Sequence, residues 1–322
     1  MTVSTSHGRR ATPNLFLVGA AKCGTTAMAS YLGQHPEIFF SDPKEPLFFG
    51  RDLYHTWRLE DFDAYLDLFA GAREARWIGE GTVWYLYSRR AAEEIKSFAP
   101  HAKIIVMLRN PIDVIYSLHG QFLFSGNEDR ASFERALKAE PLRRNGRAIP
   151  RAAHFPAGLL YSEVVRYSEQ IERFVAAFGR ENIATVIYDD FAKAPQASYR
   201  RVLEFLGVSP DHEPQYAVVN SARVIRSVPL HRWLIKPPID LWNPERLLPS
   251  GRLAHGLQWR AQTLRSRLYD MNLQQRRRPP MRPETRARLK QRLRPEVETL
   301  SRMLDRDLTG WVAPETATAG AA

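Results

Sequence analysis

The sequence predicts an α/β protein, a mostly parallel sheet covered by helices on both faces. Three observations carry that expectation. Short, β-branched apolar runs alternate with helical patterns from Leu15 to Gly207. The intervening patterns are of helix length, so the strands are joined by crossovers instead of hairpins. Several helical patterns also open on a capping residue or proline and close on glycine. With 322 residues, 44% of them hydrophobic, the chain can fill one large core or two modest ones.

Taken in order, LFLVG (15–19) reads as a buried strand, and TTAMASYLGQ (25–34) as a helix stopped near Gly33 and Pro36. RWIGE is a short strand, after which Ser88 caps the helix AAEEIKSF. KIIVMLR (103–109) is the clearest buried strand. Asn110 and Pro111 then supply the N-cap and first residue of the helix IDVIYSLHGQFLF. Over 160–178, Leu160, Val164, Tyr167, Ile171, Phe174 and Phe178 share one helical face, with Gly179 as terminator. ATVIYDD is a further strand, and PQASYRRVLEFLG a helix from Pro195 to Gly207. The stretch from Asn127 to Pro156 is polar and irregular and reads as a loop or lid, and prolines break any long element between Val219 and Gly256. Residues Pro283 to Trp311 read as helical and pack back on the domain. The expected organisation is a single domain over 13–313, with a C-terminal helical segment at about 256–313 and disordered tails at 1–12 and 314–322.

The net charge of +11 is unevenly placed. Between Arg260 and Arg294 stand twelve Lys or Arg against Asp270 and Glu284, so the rest of the chain is nearly neutral. Such a run can touch an anionic surface, a polyanion or nucleic acid, or it is simply a solvated helix in an arginine-rich protein. The solvated helix is the reading adopted here, and it makes the segment dispensable for chemistry; no nucleic-acid partner is expected. A single cysteine, Cys23, excludes an intrachain disulfide and agrees with a reducing cytoplasm. No run approaches the roughly 20 apolar residues of a membrane span, and the start MTVSTSHGRRATPN lacks a signal-peptide core. The nine histidines are scattered, without metal-ligand spacing.

The motif that carries chemistry is VGAAKCGTTAMASYL. A strand ending in a glycine-rich turn and opening a helix aims backbone N–H groups and the helix dipole at an anion. Gly19, Gly24, Thr25 and Thr26 nearly match the nucleotide loop G-x-x-x-x-G-K-[ST], but Thr25 stands where that lysine belongs and Lys22 lies inside the loop. The second strand ends Leu108–Arg109–Asn110, with no carboxylate in the place of a Mg²⁺-holding Asp. Both departures suit a nucleotide with one 5′ anionic group bound without metal. The competing readings are a kinase or NTPase, a non-catalytic polyanion binder, and a tight turn with an incidental lysine.

This loop resembles the 5′-phosphosulfate loop of sulfotransferases that use 3′-phosphoadenosine 5′-phosphosulfate (PAPS). KIIVMLRNPIDVIYSLHG resembles their 3′-phosphate site, and PEIFFSDPKEPLFFG their acceptor-activating segment in the carbohydrate and heparan branch. The likeness runs over roughly residues 13–210 and more loosely beyond. No histidine lies between Gly79 and Pro100, where the small-phenol and steroid branch carries its base, which favours the glutamate branch. The resemblance implies a single P-loop-like domain that transfers a sulfuryl group to a hydroxyl or amine of a glycan, glycolipid or small alcohol, leaving adenosine 3′,5′-bisphosphate. It implies that Ala21, Lys22, Cys23, Gly24, Thr25 and Thr26 hold the 5′ end. Arg109 and Ser117 would grip the 3′-phosphate, with Arg223 and Arg226 closing over it. Glu45 is the implied base, the Phe48–Phe49 pair burying part of the site to raise its carboxyl, and Lys22 the stabiliser of the leaving oxygen; Lys44 would assist the transferred group.

Among the other candidates, Glu80 is the competing carboxylate, or it ties down loop backbone. His119, two residues after Ser117 on a helix, points away from that face and is structural. Trp84, Tyr85 and Tyr87 stack on adenine or a sugar, or pack the core. Cys23 supplies a small side chain whose alkylation would block the loop.

Overall fold

Five short parallel strands frame the first of two compact units in the computed structural model, which describes residues 2–5, 8–72, 74–216, 224–235, 252–274 and 278–314. The first unit comprises Met1–Ile115, Ser162–Val219 and Arg282–Ala322, the second Tyr116–Tyr161 and Asn220–Met281. The single domain expected over 13–313 is therefore divided. The chain crosses between the units at several points, so no linker stretch marks a boundary.

In the first unit β1 (Thr2–Thr5) and β2 (Gly8–Ala11) pair antiparallel, where a disordered tail was expected over 1–12. Their register runs from Thr2 opposite Ala11 to Thr5 opposite Gly8, and Arg10 ties the second strand to Asp63 at 2.9 Å. β3 (Leu15–Gly19), β4 (Ile38–Phe40), β5 (Trp77–Glu80), β6 (Lys103–Leu108) and β7 (Ile183–Ile187) form the parallel sheet in the order β4-β5-β3-β6-β7. Leu15–Val18 and Ile104–Leu108 have no exposed surface, as strands covered on both faces must. Helix α1 (Thr25–Leu32) follows β3, and α2 (Phe62–Asp67) and α3 (Ala91–Phe98) flank β5. Ser88 Oγ accepts from the N–H groups of Arg90 and Ala91 at the start of α3. Helix α4 (Pro111–Ser125) opens where expected, Asn110 Oδ1 accepting from Ile112 N at 3.0 Å.

In the second unit, the stretch expected as a loop or lid contains α5 (Phe133–Lys138) and α6 (Glu140–Arg144). They are held by a buried pair, Glu128 with Arg143, at 2.7 Å. Back in the first unit, the helix expected over 160–178 is split into α7 (Tyr161–Val164) and α8 (Tyr167–Phe178). Gln170 Nε2 donates to the carbonyls of Glu163 and Val164 at the break, where Glu163 O also accepts from Arg166 N, a local capture that apolar spacing does not report. Helices α9 (Tyr188–Lys193) and α10 (Pro195–Leu206) complete this run, Gly207 closing α10 at φ 65°.

The second unit also holds α11 (Val228–Ile235), α12 (Arg252–Asn272) and a short antiparallel pairing of β8 (Val224–Ile225) with β9 (Leu273–Gln274). Helix α13 (Pro283–Leu304) belongs to the first unit and corrects the solvated-helix reading for the part of the arginine run it carries, Arg286 to Arg294. Thr285, Leu289, Leu293, Val297 and Leu300 form a buried stripe under the arginines. Arg286 pairs with Asp113 at 2.9 Å, and Glu296 accepts from Ser168 N and Oγ at 2.7 and 3.0 Å. This segment is part of the core, as the packing-back reading of 283–311 anticipates. Of the tail expected over 314–322, all but Pro314 lies outside the described residues.

Candidate active site

The candidate site grows from the carboxyl ends of β3 and β6, neighbours in the sheet where the strand order changes direction. Open parallel sheets bind ligands at such switch points. Gly19 closes β3 against the next segment so tightly that a Cβ would stand 2.7 Å from Leu86 Cβ and 2.9 Å from Val83 O. Lys22 and Gly24 then both adopt left-handed backbone, φ 66° and 86°. Glycine does so freely, whereas a lysine held there costs on the order of 1–3 kcal/mol, strain of the kind found at functional loops. Such turns bring successive N–H groups to one side, as in an anion-binding nest. Among the described residues, the N–H groups from Ala21 to Thr26 donate to no protein acceptor, and no side chain caps α1 at Gly24.

Two cations meet this loop. Lys22 is partly buried, and its ammonium titrates below the usual lysine range because of burial first and the Arg109 charge second, with Glu45 opposing. Arg109, at the end of β6, donates to Lys22 O at 3.4 Å, and its guanidinium lies 4.6 Å from the Tyr188 ring centroid. It makes no ion pair among the described residues. Cys23 is fully buried with Sγ 3.4 Å from Ala21 O, and burial pushes its thiol up to about 12, only partly offset by Arg109 and Tyr167. Burial shields the thiol from reagents, so alkylating Cys23 to block the loop requires the loop to open.

A carboxylate stands near these cations. Lys44 Nζ lies 3.1 Å from Glu45 Oε1 and 3.5 Å from Thr25 Oγ1, joining the acidic segment to the helix N-terminus. Glu45 is exposed, its side chain 39% accessible. The Phe48–Phe49 pair, expected to bury part of the site, packs into the core instead, Phe48 stacking on Tyr65 at 4.2 Å. The backbone behind Glu45 is firmly held: Thr82 Oγ1 accepts from Leu47 N, the Tyr85 hydroxyl accepts from Phe48 N and Phe49 N, and Arg58 donates to the carbonyls of Phe48 through Gly50. Glu80, the competing carboxylate, has no exposed surface. Burial pushes its carboxyl up to about 7, against Tyr85, Tyr65, Lys44 and Thr82, which favour the anion.

Residues 12–224 match the sulfotransferase domain family. The chain belongs to that family. A solved sulfotransferase from Alicyclobacillus acidocaldarius is 27% identical, with a TM-score of 0.69 over 94% of this chain and 100% of that one. Human carbohydrate sulfotransferase 15 is 26% identical over 270 residues, 67% of this chain and 48% of the relative. Human bifunctional heparan sulfate N-deacetylase/N-sulfotransferase 3 is 28% identical over 212 residues, 62% of this chain and 23% of the relative. The chain thus spans half or less of the length of these curated relatives.

The remaining expected residues are placed as follows. Ser117 and Arg226 fall in the second unit, Ser117 in the seventh position of α4 and Arg226 exposed beside β8; Arg223 lies outside the described residues. His119 is structural, as expected: Nε2 lies 2.8 Å from Arg130 O, and burial, then Arg278, lowers its imidazole to about 4. Arg278 is a residue that sequence reasoning missed. It lies over the Tyr116 ring at 3.8 Å and donates to Tyr116 O and His119 Nδ1, which fixes it on the helix that carries Ser117. Its only signal was membership of the arginine run. Trp84 and Tyr85 are buried, whereas Tyr87 borders a cavity of about 360 Å³ in the first unit. Asp52, Arg89, Arg166 and Arg173 also line it, while Lys22, Lys44, Glu45 and Arg109 do not.

Proposed function

We propose that this sulfotransferase moves the sulfuryl group of PAPS to a hydroxyl, or an amine, of a glycan, glycolipid or other alcohol. One observation carries the reading: two cations without carboxylate partners of their own, Lys22 and Arg109, meet at a helix N-terminus whose first N–H groups have no protein acceptor. Like charges at close range repel, and an anionic ligand relieves both that repulsion and the orphaned donors. The residues fit PAPS, which supplies a sulfuryl group on a 5′-phosphate leaving group and carries a separate 3′-phosphate. Lys22, the N–H groups from Ala21 to Thr26, and the Thr25 and Thr26 hydroxyls are assigned the 5′ end. Arg109 is assigned the 3′-phosphate, which a guanidinium can grip with two parallel bonds. Ser117 on the following helix, Arg223 and Arg226 are assigned to it by resemblance.

Glu45 is assigned the acceptor's proton. A general base must reach its proton, and Glu45 is exposed beside Lys44 while Glu80 is sealed in the core. Lys44 orients Glu45, and Lys22 with the helix terminus steadies the oxygen on which charge develops. The names of the relatives support a glycan acceptor.

Incubation with labelled PAPS and a panel of glycans, glycolipids and simple alcohols tests the reading. Label should pass to an acceptor in the presence of chelator, and Glu45→Gln should stop it. Transfer that requires Mg²⁺, or that Glu45→Gln leaves intact, contradicts it.

A further inference from the structure

Glu80 is a buried carboxylate with no task in the reading above. It ends β5 without exposed surface, and neither carboxylate oxygen has a hydrogen-bond partner in good geometry. The Tyr65 hydroxyl, from α2, is buried beside Glu80 but likewise makes no hydrogen bond in good geometry. Orphaned buried polar groups are costly and call for an explanation. The groups facing the carboxyl are the Tyr65 hydroxyl, the Tyr85 and Thr82 hydroxyls from the segment after β5, and the Lys44 ammonium from the segment after β4.

Two of those hydroxyls hold the backbone behind Glu45. The Tyr85 oxygen accepts from Phe48 N at 3.0 Å and Phe49 N at 3.2 Å, and Thr82 Oγ1 accepts from Leu47 N at 3.3 Å. An oxygen accepting two N–H bonds has used its acceptor capacity, so its own proton must point elsewhere. For Tyr85 the facing acceptor is Glu80.

We propose that Glu80 is a positioning residue: its carboxylate draws the Tyr85 and Thr82 protons toward itself, keeps both hydroxyls turned as acceptors for Leu47–Phe49, and so fixes the backbone that presents Glu45. The inference rests on Glu45 being the base. An ionised carboxylate only accepts, whereas a protonated one brings a competing O–H and lets a hydroxyl turn away. Because burial pushes the Glu80 carboxyl up to about 7, the change falls within the working pH range, and turnover should rise as Glu80 ionises.

The test follows turnover of labelled PAPS across neutral pH for the wild type, Glu80→Gln, Tyr85→Phe and the double variant, with Glu45→Gln as reference. Glu80→Gln should lower kcat by about 10- to 100-fold, the cost of a small misplacement. Its KM for PAPS and its affinity for adenosine 3′,5′-bisphosphate should be unchanged. The acid limb of the wild-type kcat profile, expected near pH 7, should vanish in this variant. Tyr85→Phe should lower kcat similarly, and the double variant should be no worse than the weaker single, since both break one chain. Additive losses, or an acid limb that persists in Glu80→Gln, overturn the proposal. If Glu80→Gln fails to fold, Tyr85→Phe decides: normal kcat there overturns it, and a lowered kcat with normal nucleotide affinity upholds it. Glu45→Gln with full turnover sinks the base reading and this inference together; an inactive Glu45→Gln beside a Glu80→Gln with normal kcat sinks only the positioning role.

Discussion

Arg143 and Arg109 are chemically identical, and the fold uses them in opposite ways. Arg143, its side chain 1% exposed, gives its two Nη groups to Glu128 at 2.8 and 2.7 Å and its Nε to Ala148 O at 3.3 Å. The Tyr161 hydroxyl completes the cluster by donating to Glu128 at 2.9 Å. Burial alone would raise the Glu128 carboxyl, but Arg143, the Arg130 backbone and Tyr161 outweigh it and hold the group below its usual range. Every charge there is answered from within. Arg109 has one long bond to Lys22 O, an aromatic ring beside it, a second cation nearby and no carboxylate. Leftover donors, more than charge itself, mark the place where a ligand belongs.

The contrast breaks most visibly if the answered arginine is removed. Arg143→Ala strands Glu128 in the interior and should cost about 3–5 kcal/mol in a urea melt. Replacing both partners, Glu128→Leu with Arg143→Met, should recover most of that loss, because a buried pair is worth little against good apolar packing. A double variant as unstable as the single would show that the pair does more than neutralise itself. On the other side of the comparison, Glu45→Gln should leave the melt unchanged and lower turnover by about 10²–10⁴-fold. An unstable but active Glu45→Gln would reverse the assignment of scaffold and site.

The two buried glutamates sharpen the same contrast through pH. Glu80 is raised in the folded state from 4.5 to about 7. Its stabilising contribution is therefore complete below the unfolded value and lost as pH rises through about 7, a change of roughly 3 kcal/mol. Glu128 is lowered, so its contribution is present above the unfolded value and lost on acidification. Thermal midpoints of the wild type should fall relative to those of Glu80→Gln as pH rises from 4.5 to about 7. Parallel curves would mean that Glu80 does not titrate there. The smallest effect concerns Cys23: iodoacetamide should label it only after denaturation and leave native turnover untouched. Rapid native labelling would show that the loop opens.

Much of the frame was legible because its signals are local. The apolar runs of β3 and β6, the Asn110–Pro111 start of α4 and the Pro195–Gly207 bounds of α10 each lie within a few residues of their cause. The tight turn between β3 and α1 was legible for the same reason, its glycines and lysine being contiguous. What escaped depends on partners distant in sequence. Glu128 and Arg143 look like solvated charge in an irregular stretch until they meet and bury each other. The α13 stripe is spaced for a buried face, but the arginines between its members dominate the composition. The choice between Glu45 and Glu80 turns on exposure, which no spacing encodes, and Arg278 reaches α4 from far along the chain.

Calorimetric titration of adenosine 3′,5′-bisphosphate, AMP and ATP–Mg²⁺ into the wild type and Arg109→Ala tests most directly that the unanswered cations read a 3′-phosphorylated nucleotide. The bisphosphate should bind the wild type tightest, and Arg109→Ala should weaken it by about 1.5–3 kcal/mol, the range for a charge-assisted hydrogen bond, while AMP is barely affected. Equal losses for bisphosphate and AMP, or a wild-type preference for ATP–Mg²⁺, would contradict that assignment.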